Sequence, residues 1–573
     1  MAVEGDARAW HGVGVGRAGA VGPVVQVRSA PRVASDTPVL IDGIPAGRWA
    51  VRSVVADAFA TVAAGLRQRA ARSDSQARPI FESAAELADD RALQSEVLAR
   101  VADGEPPVAA IDAVIAGFAS YLTAAGDYPA AREADLQAVR DRVVAQILGY
   151  PQPGVPELIE PSVVVARELS LAEISSLNQD CVLAIVTELG GPTSHAAIFA
   201  GQLEVPCIVQ AGGVTSLPDG VMVAVDATTG AITLDPTQSE RDDLERRRAA
   251  MLTLLSDTAA GATRDGHAVA LEANISAVAD AERLVGNSVE GVGLYRTESM
   301  FLDRMVAPTL TEQCDAYMRV LAAMDGKPVT IRTVDGGADK PLKFLGISPE
   351  TLDGMHHGLG IRGYRLTSLY PEILEVQLRA LAEAQELTGR PVRVMAPMVT
   401  TAREAREFAK LARNAGIAQV GVMVEVPSAA LRAGQILDEV DFISIGTNDL
   451  AQYTMAADRT LGELDDLLSP WQPAVLDLIA MATRAGRERA KPVAVCGELA
   501  SDPVLALVLV GLGAGSLSMA PGAIAPVRHA IRRHTAKQTR AIAHAAMEQA
   551  GPAQAFQAAL ALVDPRVRGD LGL

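Results

Sequence analysis

Gly421-Val422-Met423-Val424-Glu425 is an apolar run that ends in a carboxylate. Its β-branched residues favour a strand, and its unbroken apolarity suits a strand buried on both faces, as in a parallel sheet. It lies in the fifth of eight such runs: 267–275, 291–296, 329–334, 392–398, 420–426, 442–446, 493–496 and 516–519. Amphipathic helical segments separate most of them. About eight β/α units in roughly 310 residues is the count of a TIM barrel, and this predicts one from 263 to 573. An open doubly wound sheet is the alternative.

Working outward, polar groups fall at the ends of these runs. Asn274 closes the first. Arg296 closes the second and is followed by Thr297-Glu298. The third supplies Arg332, then Asp335, Asp339 and Lys340. Glu425 follows in the fifth, and Gly446-Thr447-Asn448-Asp449 ends the sixth. Cys496 with Gly497-Glu498 ends the seventh, and Ser518 stands in the eighth. A barrel brings such ends to one mouth, where active sites form.

The residue types suit a small, highly charged phosphorylated acid. Arg296 and Arg332 can clamp phosphate or carboxylate with paired hydrogen bonds. Glu425 and Asp449 offer two hard oxygen ligands, the usual protein contribution to Mg²⁺. Arg459, in Ala457-Asp458-Arg459, stands just past this loop, within reach of a phosphate. Cys496 is a candidate proton donor, since a thiol exchanges protons near neutral pH when its environment tunes it. Blander alternatives are a surface ion pair for Arg332 and Asp335, a structural Glu425, and an inert packed Cys496.

Further towards the N-terminus stands Gly190-Gly191-Pro192-Thr193-Ser194-His195-Ala196-Ala197-Ile198. A glycine pair lets backbone N–H groups turn toward an anion, and Thr193 or Ser194 can cap a helix whose start attracts phosphate. An imidazole there can take and release a phosphoryl group. The strand-like runs 163–165, 182–186, 207–209 and 221–225 place His195 in a compact α/β unit. Val24-Val25-Gln26-Val27 reads as a strand of the same sheet, which makes the helical stretch from about 45 to 149 an insertion. In that stretch Leu136, Val139, Val143 and Ile147 repeat at helical spacing. Pro151, Pro153 and Pro156 then mark a linker, and a charged helix from 240 to 251 connects front to back.

The chain has 573 residues, 49% of them hydrophobic, enough for several domain cores. The formal net charge of −18 disfavours nucleic acid and anionic membranes as partners and permits a basic protein. Residues 51–150 carry 14 acidic against 10 basic side chains, a mild bias of the same sign. Cys181, Cys207, Cys314 and Cys496 are widely spaced, which predicts neither a zinc site nor a disulfide framework and fits a cytoplasmic setting. Neither a signal peptide nor a membrane-spanning run is expected.

These pieces together resemble enzyme I of the bacterial phosphotransferase system, the phosphoenolpyruvate–protein phosphotransferase family. The resemblance spans almost the whole chain. Its most specific parts are 190–198, Glu290-Gly291-Val292-Gly293-Leu294-Tyr295-Arg296-Thr297-Glu298, Arg332-Thr333-Val334-Asp335, 421–425, 444–450 and Cys496-Gly497-Glu498-Leu499-Ala500. It implies a swivelling phosphohistidine α/β domain (1–30 and 150–236) with an inserted helical domain (31–149), a linker helix (237–262) and a phosphoenolpyruvate-binding (β/α)8 barrel (263–573). It implies that His195 takes the phosphoryl group from phosphoenolpyruvate and hands it to the carrier protein HPr, docked on the helical domain. Cys496 would protonate the enolate to pyruvate. Arg296, Arg332, Arg362, Asn448 and Arg459 would bind substrate, and Glu425 and Asp449 would hold Mg²⁺. Dimerisation through the barrel and a place in sugar uptake follow from the same likeness.

Pro192 stands where the family often has arginine, and Gly201 where an arginine commonly follows Phe199-Ala200. Met355-His356-His357-Gly358 replaces a usual Asn-Pro segment, and 14–19 lacks the common Ser-Pro-Gly. Ser170 falls near a position where a family hydroxyl orients the histidine. The competing readings are a phosphoenolpyruvate synthase or dikinase, a degenerate homologue that senses phosphoenolpyruvate for a regulator, and a multidomain phosphoryl-transfer protein. The first needs a nucleotide-binding module, and 194 residues without a P-loop precede His195.

Overall fold

In a computed structural model of the chain, the valine-rich runs before residue 236 pair into one eight-stranded sheet. The structure describes all residues except 1–7, 16–18, 29, 32, 42–43, 46, 73–77, 125–129, 157, 170–172, 175–176, 192–193, 204, 303, 338–339, 347–357, 459–463 and 465. Contacts divide the chain into two units, Met1–Arg248 and Ala249–Leu573.

The first unit carries β1 (Ala9–His11), β2 (Val13–Val15), β3 (Gly19–Gln26), the small hairpin β4 (Leu40–Ile41) and β5 (Ile44–Pro45), β6 (Ser162–Ala166), β7 (Val182–Thr187), β8 (Cys207–Val209), β9 (Met222–Asp226) and β10 (Ala231–Leu234). The sheet order is β1-β10-β9-β3-β6-β7-β8-β2. Side chains of a strand alternate between faces. Val163 and Val165 accordingly join one core cluster and Val164 and Ala166 the other. Both faces are covered, which is why these runs are apolar without alternation.

β3 pairs parallel with β6, Val24 opposite Val163. A parallel pair needs a long crossover. Here the crossover is a set of five helices, Arg48–Arg72, Arg78–Ala88, Arg91–Ala102, Pro107–Ala124 and Ala130–Leu148. Leu136, Val139, Val143 and Ile147 are all buried in their common core. One expectation needs correcting: the stretch Trp49–Ala71 is long and apolar enough, by length and composition, to cross a membrane. Val55, Phe59, Val62 and Leu66 make one buried stripe along it, the pattern of a core helix in a bundle.

The second unit closes into a barrel of eight parallel strands: β11 (Ala270–Ile275), β12 (Val292–Arg296), β13 (Val329–Arg332), β14 (Arg393–Ala396), β15 (Gln419–Val424), β16 (Phe442–Gly446), β17 (Val493–Cys496) and β18 (Ser516–Met519). β18 pairs back onto β11, so the open-sheet alternative fails. All eight expected runs form strands, several of them shorter than the apolar pattern. β14 stops at Ala396 because Pro397 has no N–H to continue the ladder, and Met398 beyond it has φ +58°. Leu294, Met395, Met423, Phe442 and Cys496, from five strands, form a separate buried cluster.

Helices Ala536–Met547, Pro552–Ala561 and Pro565–Leu571 complete this unit. Buried His534 joins two of its turns: Nδ1 lies 2.7 Å from Ala530 O, and Nε2 accepts the Asp564 N–H at 2.9 Å. That bond needs the neutral ring, and burial, above all other influences, pushes the His534 pKa below its ordinary 6.5. Since the unfolded chain takes up this proton first, the stabilisation is full above pH 6.5 and is lost as pH falls below it. The thermal midpoint of the barrel unit should therefore drop between pH 7 and pH 5, and drop less in His534→Gln, as followed by calorimetry.

Candidate active site

Because all eight strands are parallel, their C-terminal ends share one rim. Arg296 and Arg332 are the last residues of β12 and β13 and sit directly opposite each other in register. Cys496 ends β17 opposite Gly446 of β16 and Ser518 of β18. Glu425 is the first residue beyond β15, and Asp449 lies in the first turn of helix Thr447–Met455, directly after β16. At the same rim, the Asn274 amide nitrogen donates to Ser518 O at 3.3 Å, and the Ser518 hydroxyl donates to Asn274 Oδ1 at 2.6 Å.

Arg332 and Asp335 form a buried pair, not a surface one. Arg332 Nη2 lies 2.9 Å from Glu298 Oε1 and 3.2 Å from Asp335 Oδ2, and its Nη1 is 4.0 Å from Glu425 Oε2. Its buried Nε has no hydrogen-bond partner among the described residues. Asp335 is gripped in turn by Arg362, through Nε at 3.1 Å and Nη2 at 3.0 Å. Arg362 Nη1 reaches Asp449 Oδ1 at 2.8 Å. The result is a chain of alternating charge, Glu298–Arg332–Asp335–Arg362–Asp449, buried almost throughout.

Its electrostatics follow from that order. Burial alone would raise the Asp335 pKa, but Arg332 and Arg362 outweigh it and hold the carboxyl well below the usual range. Burial would lower both arginines, yet the surrounding carboxylates keep them charged. Glu425 is different. Burial first, and then Asp449, push it up to about 7. Its Oε1 accepts the Met398 N–H at 2.6 Å, a bond reached from that residue's left-handed backbone. A side chain on Gly446 would come within 2.9 Å of Glu425 Oε2, so the strand ends in glycine where the carboxylate needs room.

Arg296 is half-buried and makes no side-chain hydrogen bond or ion pair among the described residues. It lies beside Arg332, whose charge is already met by Glu298 and Asp335. Cys496 is buried, with Ser444 Oγ donating to its sulfur at 3.4 Å and the sulfur 3.4 Å from Ile445 O. Burial pushes the thiol up, so it keeps its proton. Gly497 has φ +117°, and a Cβ there would collide with Thr447 Oγ1. Thr447 Oγ1 in turn donates to Cys496 O at 3.1 Å. The hydroxyl of Thr447 also contacts Asn448 Oδ1 at 3.4 Å.

In the other unit, His195 begins helix His195–Leu203, which follows β7. Ser194 caps it, its Oγ accepting the Ala197 N–H at 3.4 Å, and Gly190 takes φ +89° in the turn before. The His195 side chain lies outside the described residues, as do Arg459, Asp339, Ser170, Pro192, Thr193, His356 and His357.

Among the described residues no group of three or more His, Cys, Asp or Glu side chains stands in metal-holding geometry. The sequence pattern assigned no role to Glu298 or Gln377. Gln377 breaks the apolar face Leu374, Leu378, Leu381 of helix Pro371–Thr388 and is fully buried. That break is the signal by which it could have been found.

Three models of the phosphoenolpyruvate (PEP)-utilising enzymes match the chain: the N-terminal domain over 11–132, the mobile domain over 158–230 and the PEP-binding domain over 253–536. This is the class that the two-unit fold and the charged barrel rim define. A phosphoenolpyruvate–protein phosphotransferase of Streptomyces coelicolor is 42% identical over 96% of this chain and 98% of its own length. Proteins of the same description from Bacillus subtilis (38%, covering 71% of this chain and 74% of theirs) and Haemophilus influenzae (36%, 83% and 86%) are also similar. The chain belongs to the phosphoenolpyruvate–protein phosphotransferase family.

Proposed function

We propose that the enzyme moves the phosphoryl group of phosphoenolpyruvate to His195 and then to the carrier protein HPr, in the cytoplasm, at the head of a sugar-uptake relay. The observation that carries this reading is the register pair Arg296 and Arg332. It sets two guanidinium groups side by side at the rim that also carries Glu425, Asp449 and Cys496. Phosphoryl transfer is mostly positioning and charge neutralisation, which such a rim supplies.

Arg296 and Arg332 would hold the phosphate, with Asn448, Arg362 and Arg459 completing the substrate contacts. His195 nitrogen forms a bond to phosphorus as the bond from phosphorus to the enol oxygen breaks. The enolate carbon then takes the proton of Cys496, giving pyruvate, and solvent restores the thiol. The residues fit a divalent cation: Glu425 and Asp449 are hard oxygen donors, burial first and then Asp449 raise Glu425, and a dication relieves the repulsion between them. Mg²⁺ bound there would supply charge neutralisation for the phosphate and enolate oxygens.

We assign the phosphohistidine role to 1–30 with 150–236, HPr docking to 31–149, a linker to 237–262 and phosphoenolpyruvate binding to 263–573. Dimerisation through the barrel belongs to the same reading. The test is incubation with radiolabelled phosphoenolpyruvate and Mg²⁺ followed by HPr. An acid-labile label that passes to HPr supports the relay. A labelled product from ATP alone would favour the synthase class, and an unlabelled protein would favour the sensor.

Cys496→Ala is expected to lower turnover about a hundredfold, the usual worth of a positioned general acid. Its KM for phosphoenolpyruvate should stay near the wild-type value, because the thiol acts after the substrate has bound. Steady-state kinetics with HPr in excess would check both.

A further inference from the structure

The structure assigns a positioning role to Gln377, which sets the backbone of Arg332 from the layer behind the barrel. This rests on the reading of Arg332 as a phosphate-binding group.

Gln377 projects from helix Pro371–Thr388 into a region that holds no water-facing surface. Its Oε1 accepts the Val334 N–H at 3.0 Å. Its Nε2 donates to Thr297 Oγ1 at 3.2 Å and lies 3.0 Å from Tyr317 OH. Thr297 Oγ1 passes the connection on, donating to Arg332 O at 3.0 Å. The amide thus holds the chain on both sides of Thr333: at Arg332 through the threonine, and at Val334 directly.

The place of this grip is what gives it meaning. β13 ends at Arg332, so the two residues after it leave the regular ladder while still carrying Asp335 into the charged chain. Thr333 N–H still reaches Met395 O at 3.0 Å, but Val334 N–H is taken by Gln377, its one acceptor among the described residues. Thr297 follows Arg296 directly, so the same hydroxyl joins the ends of β12 and β13 that carry the opposed arginines. An apolar side chain of similar size would leave the Val334 N–H, the Thr297 hydroxyl and the Tyr317 hydroxyl buried with partners missing. Small errors of aim at a phosphoryl-transfer site cost large factors in rate.

The test uses the full-length protein with HPr, comparing Gln377→Leu and Thr297→Val with wild type. Wild-type turnover of phosphoenolpyruvate is the control on the underlying reading; its absence would defeat that reading and not this one. With wild type active, Gln377→Leu is expected to lower kcat by ten- to a hundredfold, with KM for phosphoenolpyruvate within about threefold. Thr297→Val, which removes the link to Arg332 O and keeps the Val334 bond and side-chain volume, should lower kcat in the same way by a smaller factor. Thermal unfolding is read alongside, at assay temperatures well below each midpoint. A Thr297→Val enzyme with wild-type kcat overturns the proposal, as does a Gln377→Leu enzyme whose midpoint falls while kcat holds. If Gln377→Leu does not fold, the threonine variant alone decides.

Discussion

His195→Ala is expected to acquire no acid-labile phosphoryl group from phosphoenolpyruvate and Mg²⁺, and to pass none to HPr. The loss should be complete within detection, because a phosphoryl relay through one side chain has no slower parallel route once its nitrogen is gone. The neighbouring hydroxyl of Ser194 is engaged in capping the helix that His195 begins. The barrel rim is untouched by this change, so the variant should still bind phosphoenolpyruvate with wild-type affinity. Measuring label and binding on the same preparation separates a missing acceptor from a damaged site. A labelled His195→Ala protein would move the acceptor elsewhere and defeat the proposed relay.

The second large effect is expected at Arg332. Arg332→Met keeps volume and removes charge from a group that is 4% exposed. Glu298 and Asp335 lose a partner at 2.9 and 3.2 Å, and Glu425 loses one at 4.0 Å. Breaking a buried pair from one side costs about 3–5 kcal/mol, because the remaining charge stays buried. The thermal midpoint should fall accordingly. Chemistry should fall further, by about a thousandfold or more, the usual worth of an arginine on a transferring phosphoryl group. Arg332→Lys should recover part of the stability and little of the rate, since an ammonium cannot make the same forked contacts. Calorimetry and single-turnover phosphorylation read the two effects separately. A stable, fully active Arg332→Met enzyme would remove Arg332 from the site.

How far this was legible in the sequence depends on the kind of signal. The barrel was legible because its strands are buried on both faces and their apolar runs stand out. The polar residues at the ends of all the runs but the fourth were enough to put Arg296, Arg332, Glu425, Asp449 and Cys496 on one rim. The first unit's sheet was half legible. β3, β6, β7, β8 and β9 carry valine-rich runs, but β1, β2 and β10 are short strands of three or four residues with little pattern to read. The alternating chain of charge was not legible. Asp335 and Arg362 are 27 positions apart, and only the folded chain makes them a bidentate pair. Met398 was invisible for a different reason: it contributes a backbone N–H, which any residue type would carry.

The pairing of β18 with β11 sets the order in which this protein can be made. Ala270 finds its partner in Ser516, so the barrel stays open until nearly the whole chain has left the ribosome. The helical insert, by contrast, rests on near-neighbour contacts and can form early. Until the barrel closes, β11 is a bare strand edge on an apolar sheet, as is whichever strand was made last, the feature that recruits stray strands and seeds aggregation. A chain released just short of residue 516 would lack one stave and keep both edges exposed. Such a product should go to the insoluble fraction, although every residue at the rim except Ser518 is already present in it.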